Sequence, residues 1–230
     1  MLVKNSIVIF LFLAISSLTA QNIVDENGLK QGKWEKKYDW GTTRYTGEFR
    51  DNLEVGTFKF YDQNGKLLSV REYSSPGGKA LCLMFDYDEL LHAKGELLGK
   101  KKLGTWYYFA NDGRDTIGKE IYVDGLLHGE QFTYFENGNT TEITNYIRGV
   151  KHGVWKEYYA DGGVNVESTY EKGKLNGPVI YHFSTGDISK KGQYQMGLKK
   201  GIWFSYDQSG RIIKQVDYDK IENKTRPIRR

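Results

Sequence analysis

Residues 146–162 read YIRGVKHGVWKEYYADG, and the chain repeats this pattern twice more at a spacing of 24 residues. Each copy begins with an aromatic residue, continues through two glycines four positions apart, and ends in an aromatic run closed by another glycine. The second of the two spaced glycines, Gly153 in this stretch, is called the anchor here. A fixed period in the twenties indicates a repeat architecture, so the repeat decides the fold.

Anchors recur along most of the chain. They are Gly32, Gly56, Gly104, Gly129, Gly153, Gly177 and Gly201. The double step between Gly56 and Gly104 contains a worn copy near residues 76–99, where Ala80 occupies the anchor position. The sequence therefore predicts eight units of about 24 residues across residues 21–221, with no room for a separate domain.

Turn signals lie eight and nine positions after most anchors. They are Asn64-Gly65, Asp112-Gly113, Asn137-Gly138, Asp161-Gly162, Thr185-Gly186 and Ser209-Gly210. Asn-Gly and Asp-Gly suit a two-residue type I′ turn, in which both residues have positive φ. Each unit is therefore predicted to be a β-hairpin. The predicted fold class is all-β, an elongated single-sheet antiparallel solenoid of β-hairpin repeats.

This turn places each anchor opposite the aromatic residue 17 positions later, as with Gly153 and Tyr170. A ring above a facing glycine covers exposed backbone, and we expect that role for the anchor pairs. Side chains alternate along a strand, so one face is mainly apolar and aromatic and the other mainly polar. The unit at Gly104 has one extra residue, which predicts a bulge near Gly118 that shifts the parity of Phe132 and Tyr134.

Residues 1–20 have the features of a secretory signal peptide: Lys4, an apolar run at residues 7–15, and small residues up to Ala20. The apolar run is too short to span a membrane. We expect an exported protein, either periplasmic or extracellular. At the other end, residues 222–230 are predicted to be a basic, disordered tail.

Composition excludes several classes of function. The formal net charge is only +4 and both signs are interspersed, which argues against a nucleic-acid groove. Cys82 is the single cysteine, so no internal disulfide forms and a buried thiol is expected. His128 and His152 precede adjacent anchors and lie about 10 Å apart by strand spacing, too far for one zinc ion. We predict no enzyme activity, no cofactor and no metal site.

The pattern Tyr-x-x-Gly-x-x-x-Gly-x-Trp at residues 146–155 and 194–203 resembles the MORN repeat in its bacterial variant form. The resemblance covers about residues 22–221 and includes proteins similar to the antitoxin-like YwqK family and secreted proteins of the Bacteroidota. It implies an elongated hairpin sheet with a binding role and no catalytic residues. Gln131 and Val179 depart from the pattern, because each replaces the tryptophan.

An aromatic stripe on the apolar face is the candidate binding surface. It consists of Trp106, Tyr146, Trp155, Tyr170, Tyr194, Trp203 and Tyr218. These rings either form the core or stay partly open, where they would stack on sugars or anchor a protein. The leading hypothesis is a secreted, non-enzymatic scaffold that binds a protein partner through this face or through edge strands. The alternatives are an antitoxin-like protein that neutralises a toxin and a glycan or cell-envelope binding module.

An open sheet has two edge strands with unpaired backbone groups. The C-terminal edge carries charges, including Lys214 and Asp217, followed by the basic tail. The N-terminal edge, residues 22–30, carries fewer charges. The sequence therefore predicts that any self-association uses the N-terminal edge.

Overall fold

The structure is a computed structural model that describes residues 21–225. The predicted signal peptide, residues 1–20, and the last five residues of the predicted tail lie outside the described residues. The described chain forms one antiparallel sheet of 19 strands, in which consecutive long strands are paired side by side. The predicted all-β, single-sheet fold is confirmed.

The strands are β1 (Ile23–Val24), β2 (Lys30–Lys37), β3 (Thr43–Arg50), β4 (Leu53–Tyr61), β5 (Leu67–Tyr73), β6 (Lys79–Phe85), β7 (Leu91–Leu98), β8 (Lys101–Phe109) and β9 (Thr116–Val123). They continue with β10 (Leu126–Leu127), β11 (Gly129–Tyr134), β12 (Thr140–Ile147), β13 (Val150–Tyr158), β14 (Val164–Glu171), β15 (Lys174–Leu175), β16 (Gly177–His182), β17 (Ile188–Gln195), β18 (Leu198–Tyr206) and β19 (Ile212–Asp217). One helix follows, α1 (Tyr218–Thr225).

These strands form eight hairpins, numbered units 1 to 8, which begin with β2, β4, β6, β8, β10, β13, β15 and β18. In units 5 and 7 the first strand is split in two by a single residue, His128 or Asn176. The worn copy at residues 76–99 is unit 3, a complete hairpin of β6 and β7. The eight predicted units are therefore all present.

The turn inside each unit differs from the prediction. In unit 6 the Gly162 N–H donates to the Tyr159 carbonyl at 2.9 Å, and the Tyr159 N–H donates to the Gly163 carbonyl at 2.8 Å. Gly162 has a φ of 93°, whereas Asp161 before it is not in the left-handed region. This is a type I turn followed by a left-handed glycine, a three-residue loop with a bulge. The predicted two-residue type I′ turn is wrong.

An aspartate at the start of the loop explains this geometry in several units. Asp62 Oδ1 accepts the backbone N–H groups of Asn64 and Lys66, each at 2.8 Å. An aspartate that bonds to the backbone two residues ahead favours a turn that starts at its own position. The bulge shifts the pairing by one residue beside the turn, but the predicted pairing of each anchor with a distant aromatic residue holds, as with Gly56 and Tyr73.

Type I′ turns do occur, but between units. Both central residues have positive φ at Asp51-Asn52, Asp124-Gly125, Arg148-Gly149, Lys172-Gly173 and Met196-Gly197. These turns also join successive units, because the Gly149 N–H donates to the Leu127 carbonyl at 2.7 Å and the Gly173 N–H donates to the Lys151 carbonyl at 2.9 Å. The first glycine of the repeat pattern therefore supports the connection between units.

The expected ring above each anchor glycine is absent. A Cβ placed at Gly32, Gly56 or Gly104 would meet nothing within 4 Å. Every anchor glycine has positive φ, from 59° at Gly104 to 110° at Gly177. L-residues with a side chain rarely adopt this conformation, so backbone geometry is the reason for glycine here.

The pairing of unit 3 with unit 2 explains why alanine is tolerated at the anchor position, Ala80. Four other anchors, Gly56, Gly104, Gly153 and Gly201, lie where the pairing with the preceding unit shifts, as between Thr144 and Tyr146 opposite β13. The pairing of β5 with β6 runs without a shift, and Ala80 pairs directly with Tyr73. Because this ladder has no bulge, position 80 does not need positive φ.

The extra residue of unit 4 lies in its loop. The Ala110 N–H donates to the Asp115 carbonyl at 2.8 Å, so this loop is one residue longer than the loop of unit 6. Unit 5 keeps the ordinary register, in which Gln131 pairs with Thr144. Phe132 and Tyr134 therefore stack with each other on the outer face, 6.3 Å apart. The predicted bulge near Gly118 and the shifted parity are wrong.

One residue from each of the sixteen long strands lies in a line across the aromatic face. We call this line the central row. In order it consists of Trp34, Gly47, Phe58, Arg71, Cys82, Gly95, Trp106, Glu120, Gln131, Thr144, Trp155, Ser168, Val179, Gly192, Trp203 and Val216. Cys82 is buried, as predicted.

Rings lie on glycines within the central row, across the boundaries between units. An added Cβ at Gly95 would overlap the Trp106 indole, and one at Gly192 would overlap the Trp203 indole. Trp106 is 0% exposed and Trp203 is 2% exposed. The predicted device of a ring covering a glycine is therefore present, at glycines other than the anchors.

Two clusters of buried residues contain these rings. The first contains Cys82, Ala93, Leu97 and Trp106, and the second contains Val166, Val179 and Trp203. Half-buried tyrosines pack against both. A one-layer sheet thus obtains its core from one face, because large rings fill the space above small residues on the neighbouring strand.

Both ends of the sheet carry additional structure. At the N-terminus β1 pairs with β2, the Asn22 N–H donates to the Lys33 carbonyl at 2.9 Å, and the Asn22 Oδ1 accepts the Glu35 N–H. These contacts occupy part of the N-terminal edge. At the C-terminus α1 includes residues 222–225, which the sequence assigned to the disordered tail. Asp217 Oδ1 accepts the Lys220 N–H at 3.4 Å, the position of a helix N-cap.

The packing predicts that Gly95→Ala destabilises the protein by about 1–3 kcal/mol, because the methyl group overlaps a ring that has no room to move. Gly118→Ala is the matched control, since its φ is ordinary and its nearest contacts are at 3.6 Å. Thermal unfolding of both variants checks the prediction. Equal midpoints for the two variants would contradict it.

The repeat geometry predicts that a whole unit can be removed. Deletion of residues 153–176 joins two equivalent positions and keeps the anchor spacing. Each unit contacts mainly its neighbours, so we expect a folded sheet with a lower unfolding midpoint. Circular dichroism and a thermal scan measure this. A deletion variant without a β-sheet spectrum is the contrary result.

Candidate functional site

The predicted aromatic stripe divides into buried and partly open members. Trp106 and Trp203 are buried and belong to the core, so neither presents a ring face to a partner. The remaining five members are half-buried: Tyr146, Trp155, Tyr170, Tyr194 and Tyr218. Edge-to-face contacts join several of them, including Trp155 with Tyr170 at 5.8 Å. Two members of the stripe therefore belong to the core, and the other five keep part of their rings open.

Lysines form a second repeating element that the sequence reasoning missed. The motif Lys-x-Gly-x-Trp occurs at residues 30–34, 102–106, 151–155 and 199–203, in each unit that has the tryptophan. Lys30, Lys102 and Lys199 place their ammonium groups 4.5–4.9 Å from the indole of their own unit. Lys151 lies over the Tyr170 ring instead, at 5.1 Å. The lysine covers the open side of the ring through a cation–π contact.

The central row becomes polar at Glu120, Gln131 and Thr144, between the two buried clusters. Glu120 accepts hydrogen bonds from the Tyr108 and Tyr122 hydroxyls, and the Gln131 amide donates to it at 3.3 Å. Burial and the contact with Glu120 raise the pKa of Tyr108, so its hydroxyl stays protonated and remains a donor. A hydrogen-bond network thus replaces the ring-on-glycine packing here.

Two carboxylates face each other beside this polar segment. Glu142 and Glu157 are directly opposite on β12 and β13, an arrangement that is destabilising for like charges. Glu142 accepts hydrogen bonds from the Thr144 hydroxyl and from the Trp155 indole N–H at 3.0 Å, and Lys151 lies 3.9 Å from it. Burial and then the charge of Glu142 raise the pKa of Glu157 above its usual range.

A cavity of about 190 Å³ opens within this region. Its lining residues are Gln131, Thr133, Glu142, Thr144, Tyr146 and Lys151. All except the buried Thr144 are half-buried, so the cavity reaches the surface of the aromatic face. It is a small polar site in a face that is otherwise closed by aromatic rings.

The outer face carries an exposed aliphatic row next to the turns that connect the units. We call it the outer apolar row. It consists of Leu98, Val123, Leu126, Ile147 and Val150, each 47–51% exposed. Val123 pairs with Leu126, and Ile147 pairs with Val150. A Cβ at Gly149 would contact the Leu126 side chain at 3.8 Å, which shows that the pairs of adjacent units lie next to each other.

Basic side chains flank the outer apolar row. Lys100, Arg148 and Lys172 are exposed at or beside the turn tips. A contiguous apolar surface rimmed by charged groups is typical of a site that binds another macromolecule. Sequence reasoning missed this row because its residues come from the two positions flanking each connecting turn, outside the aromatic pattern.

No group of three or more histidine, cysteine, aspartate or glutamate side chains between residues 21 and 221 is arranged to hold a metal ion. Over the same region no helix is long and apolar enough to cross a membrane.

Comparison with solved structures gives matches to 62 chains. A mutant of S. aureus TarM in complex with Fondaparinux, alpha-GlcNAc-glycerol and UDP matches 63% of this chain at 11% identity. The TM-score is 0.27, too low to carry an argument, and the match spans only 21% of that protein. Comparison with curated proteins gives no match.

A family profile described as the MORN repeat variant matches three segments of the chain: residues 54–74, 127–148 and 151–172. These segments lie in units 2, 5 and 6, and each begins near the first strand of its hairpin. The remaining units share their hairpin geometry. Three units of the chain therefore match the MORN repeat variant family.

Proposed function

We propose that the chain is an exported, non-enzymatic scaffold that binds a protein partner through the outer apolar row. The observation that carries this proposal is the pair of adjacent cross-strand contacts, Val123 with Leu126 and Ile147 with Val150, whose four aliphatic side chains stay about half exposed on a well-paired sheet. MORN repeats are binding modules, which supports a scaffold over an enzyme.

The aromatic face suits a protein partner less well than the sequence suggested. Trp106 and Trp203 are buried. Lys151 lies over the Tyr170 ring and Lys199 over the Tyr218 ring. The outer apolar row, by contrast, has no covering element among the described residues. It offers apolar area in its centre and charge only at its rim, which is the composition of protein interfaces.

The charge around the row indicates the kind of partner. Lys100, Arg148 and Lys172 make the rim basic, with Asp124 as the acidic exception. A partner with an apolar patch and acidic residues around it would be electrostatically complementary. An antitoxin-like role would be one case of this binding, with a toxin as the partner.

Self-association through the N-terminal edge stays a prediction. The contacts of β1 and Asn22 with β2 already use some of the backbone groups that such pairing needs. Export also belongs to the proposal, and it is supported by the signal-peptide features of residues 1–20.

The test replaces Val123 and Ile147 together with serine. We expect partner capture from an envelope extract to fall by about tenfold or more, because the centre of an interface carries most of its binding energy. Leu198→Ser, at an equivalent position 59% exposed in unit 8, is the matched control and should capture normally.

Photo-crosslinking identifies the contact directly. A crosslinker at position 123 should join the same partner that the serine variant loses, and one at position 198 should not. Undiminished capture by the double serine variant, with an unchanged circular dichroism spectrum, would overturn the proposal.

A further inference from the structure

We propose that the cavity in the polar segment of the aromatic face binds one ring of an uncharged saccharide. This site is separate from the outer apolar row, since the two lie on opposite faces of the sheet. It would give the scaffold a second ligand of different chemistry from its protein partner.

The cavity exists because the ring-on-glycine packing is interrupted. Trp106 and Trp203 lie flat on glycines of the neighbouring strand. Trp155 instead faces Thr144, whose side chain occupies the space that a glycine would leave open. Trp155 consequently stays half-buried. Gln131 occupies the tryptophan position of unit 5 with a narrow side chain. Neither Trp155 nor Gln131 fills the space between the two buried clusters.

All of the lining side chains carry hydrogen-bonding groups, and they include both donors and acceptors. The hydroxyls of Thr133 and Tyr146 make no hydrogen bond with the described residues. The Gln131 amide uses one N–H in a long contact with Glu120 and has its carbonyl oxygen free. Hydroxyl groups, which both donate and accept, match such a mixed lining. Several hydroxyls on one small ring are the defining feature of a sugar.

The charges at the cavity favour a neutral ligand. Glu142, the acid in the lining, is offset by Lys151 at 3.9 Å and by hydrogen bonds from the Thr144 hydroxyl and the Trp155 indole. Glu157, directly opposite Glu142, is outside the lining. Glu120 is outside the lining and accepts three hydrogen bonds from protein side chains. A charged ligand would lose its hydration on entering the cavity, and the lining has no unpaired opposite charge to compensate for that loss.

Size limits the ligand to one ring. The cavity volume of about 190 Å³ is below the roughly 300 Å³ at which pockets for drug-sized molecules begin. Trp155 and Tyr170 do not line the cavity but contact residues that do, since the Trp155 indole N–H donates to Glu142 and Lys151 lies over the Tyr170 ring. Both rings stay half-buried. Their exposed parts offer an apolar surface to the C–H groups of the ring or of the next sugar in a chain.

The experiment titrates the purified chain with glucose, galactose, mannose and N-acetylglucosamine, followed by calorimetry and by tryptophan fluorescence. We expect at least one of them to bind with a Kd of about 1–10 mM, the range of a few hydrogen bonds. Thr144→Val and Gln131→Met each remove hydrogen-bonding groups at nearly constant volume and should weaken binding about tenfold. Gln193→Met, the same change on the outer face, should have no effect.

Putrescine and glucuronate are titrated in the same way as charged probes. Three results would overturn the proposal: no binding of any of the four sugars, binding by both cavity variants equal to that of the parent chain, or binding of the charged probes only. Circular dichroism establishes that each variant is folded. If Thr144→Val does not fold, Gln131→Met decides alone, because position 131 is only half-buried and tolerates an unbranched side chain.

Discussion

The packing of an aromatic ring onto a glycine of the neighbouring strand is the interaction on which the rest of this sheet depends. A single antiparallel layer has no second layer to bury its apolar face. Here Gly95 and Gly192 provide depressions in the sheet, and Trp106 and Trp203 fill them from the next unit. Each pair spans a boundary between units, so the same contact that buries the indole also joins one hairpin to the next.

The central row explains why the units differ in composition while sharing one backbone. Across the boundaries between units, the row places Arg71 next to Cys82, Ser168 next to Val179, and a glycine next to a tryptophan. A larger residue therefore lies next to a smaller one at each of these boundaries. Where both neighbours are polar, at Glu120 and Gln131, a hydrogen-bond network replaces packing. Function is therefore expected where the row departs from its apolar pattern, because that departure leaves space and unpaired polar groups.

The periodic part of this structure could be predicted from the sequence, and the conformations of individual glycines could not. The period, the hairpins and the pairing of Gly153 with Tyr170 follow from spacing alone. Spacing does not distinguish a glycine needed for positive φ, such as Gly153, from one needed for space, such as Gly192. Spacing also does not distinguish the turn within a unit from the turn between units, so the prediction places the type I′ turns within the units, whereas they lie between them. The cavity depends on which side chains meet across unit boundaries, which requires the exact register.

The most direct test of this account is a double-mutant cycle on Gly192 and Trp203, measured as free energies of unfolding. In the parent protein Gly192→Ala should be destabilising by about 1–3 kcal/mol. In a Trp203→Leu background the same alanine should cost much less, because the smaller side chain leaves room for the methyl group, giving a coupling energy of about 1 kcal/mol or more. An equal cost of Gly192→Ala in both backgrounds would show that the ring and the glycine do not depend on each other, and would contradict the account.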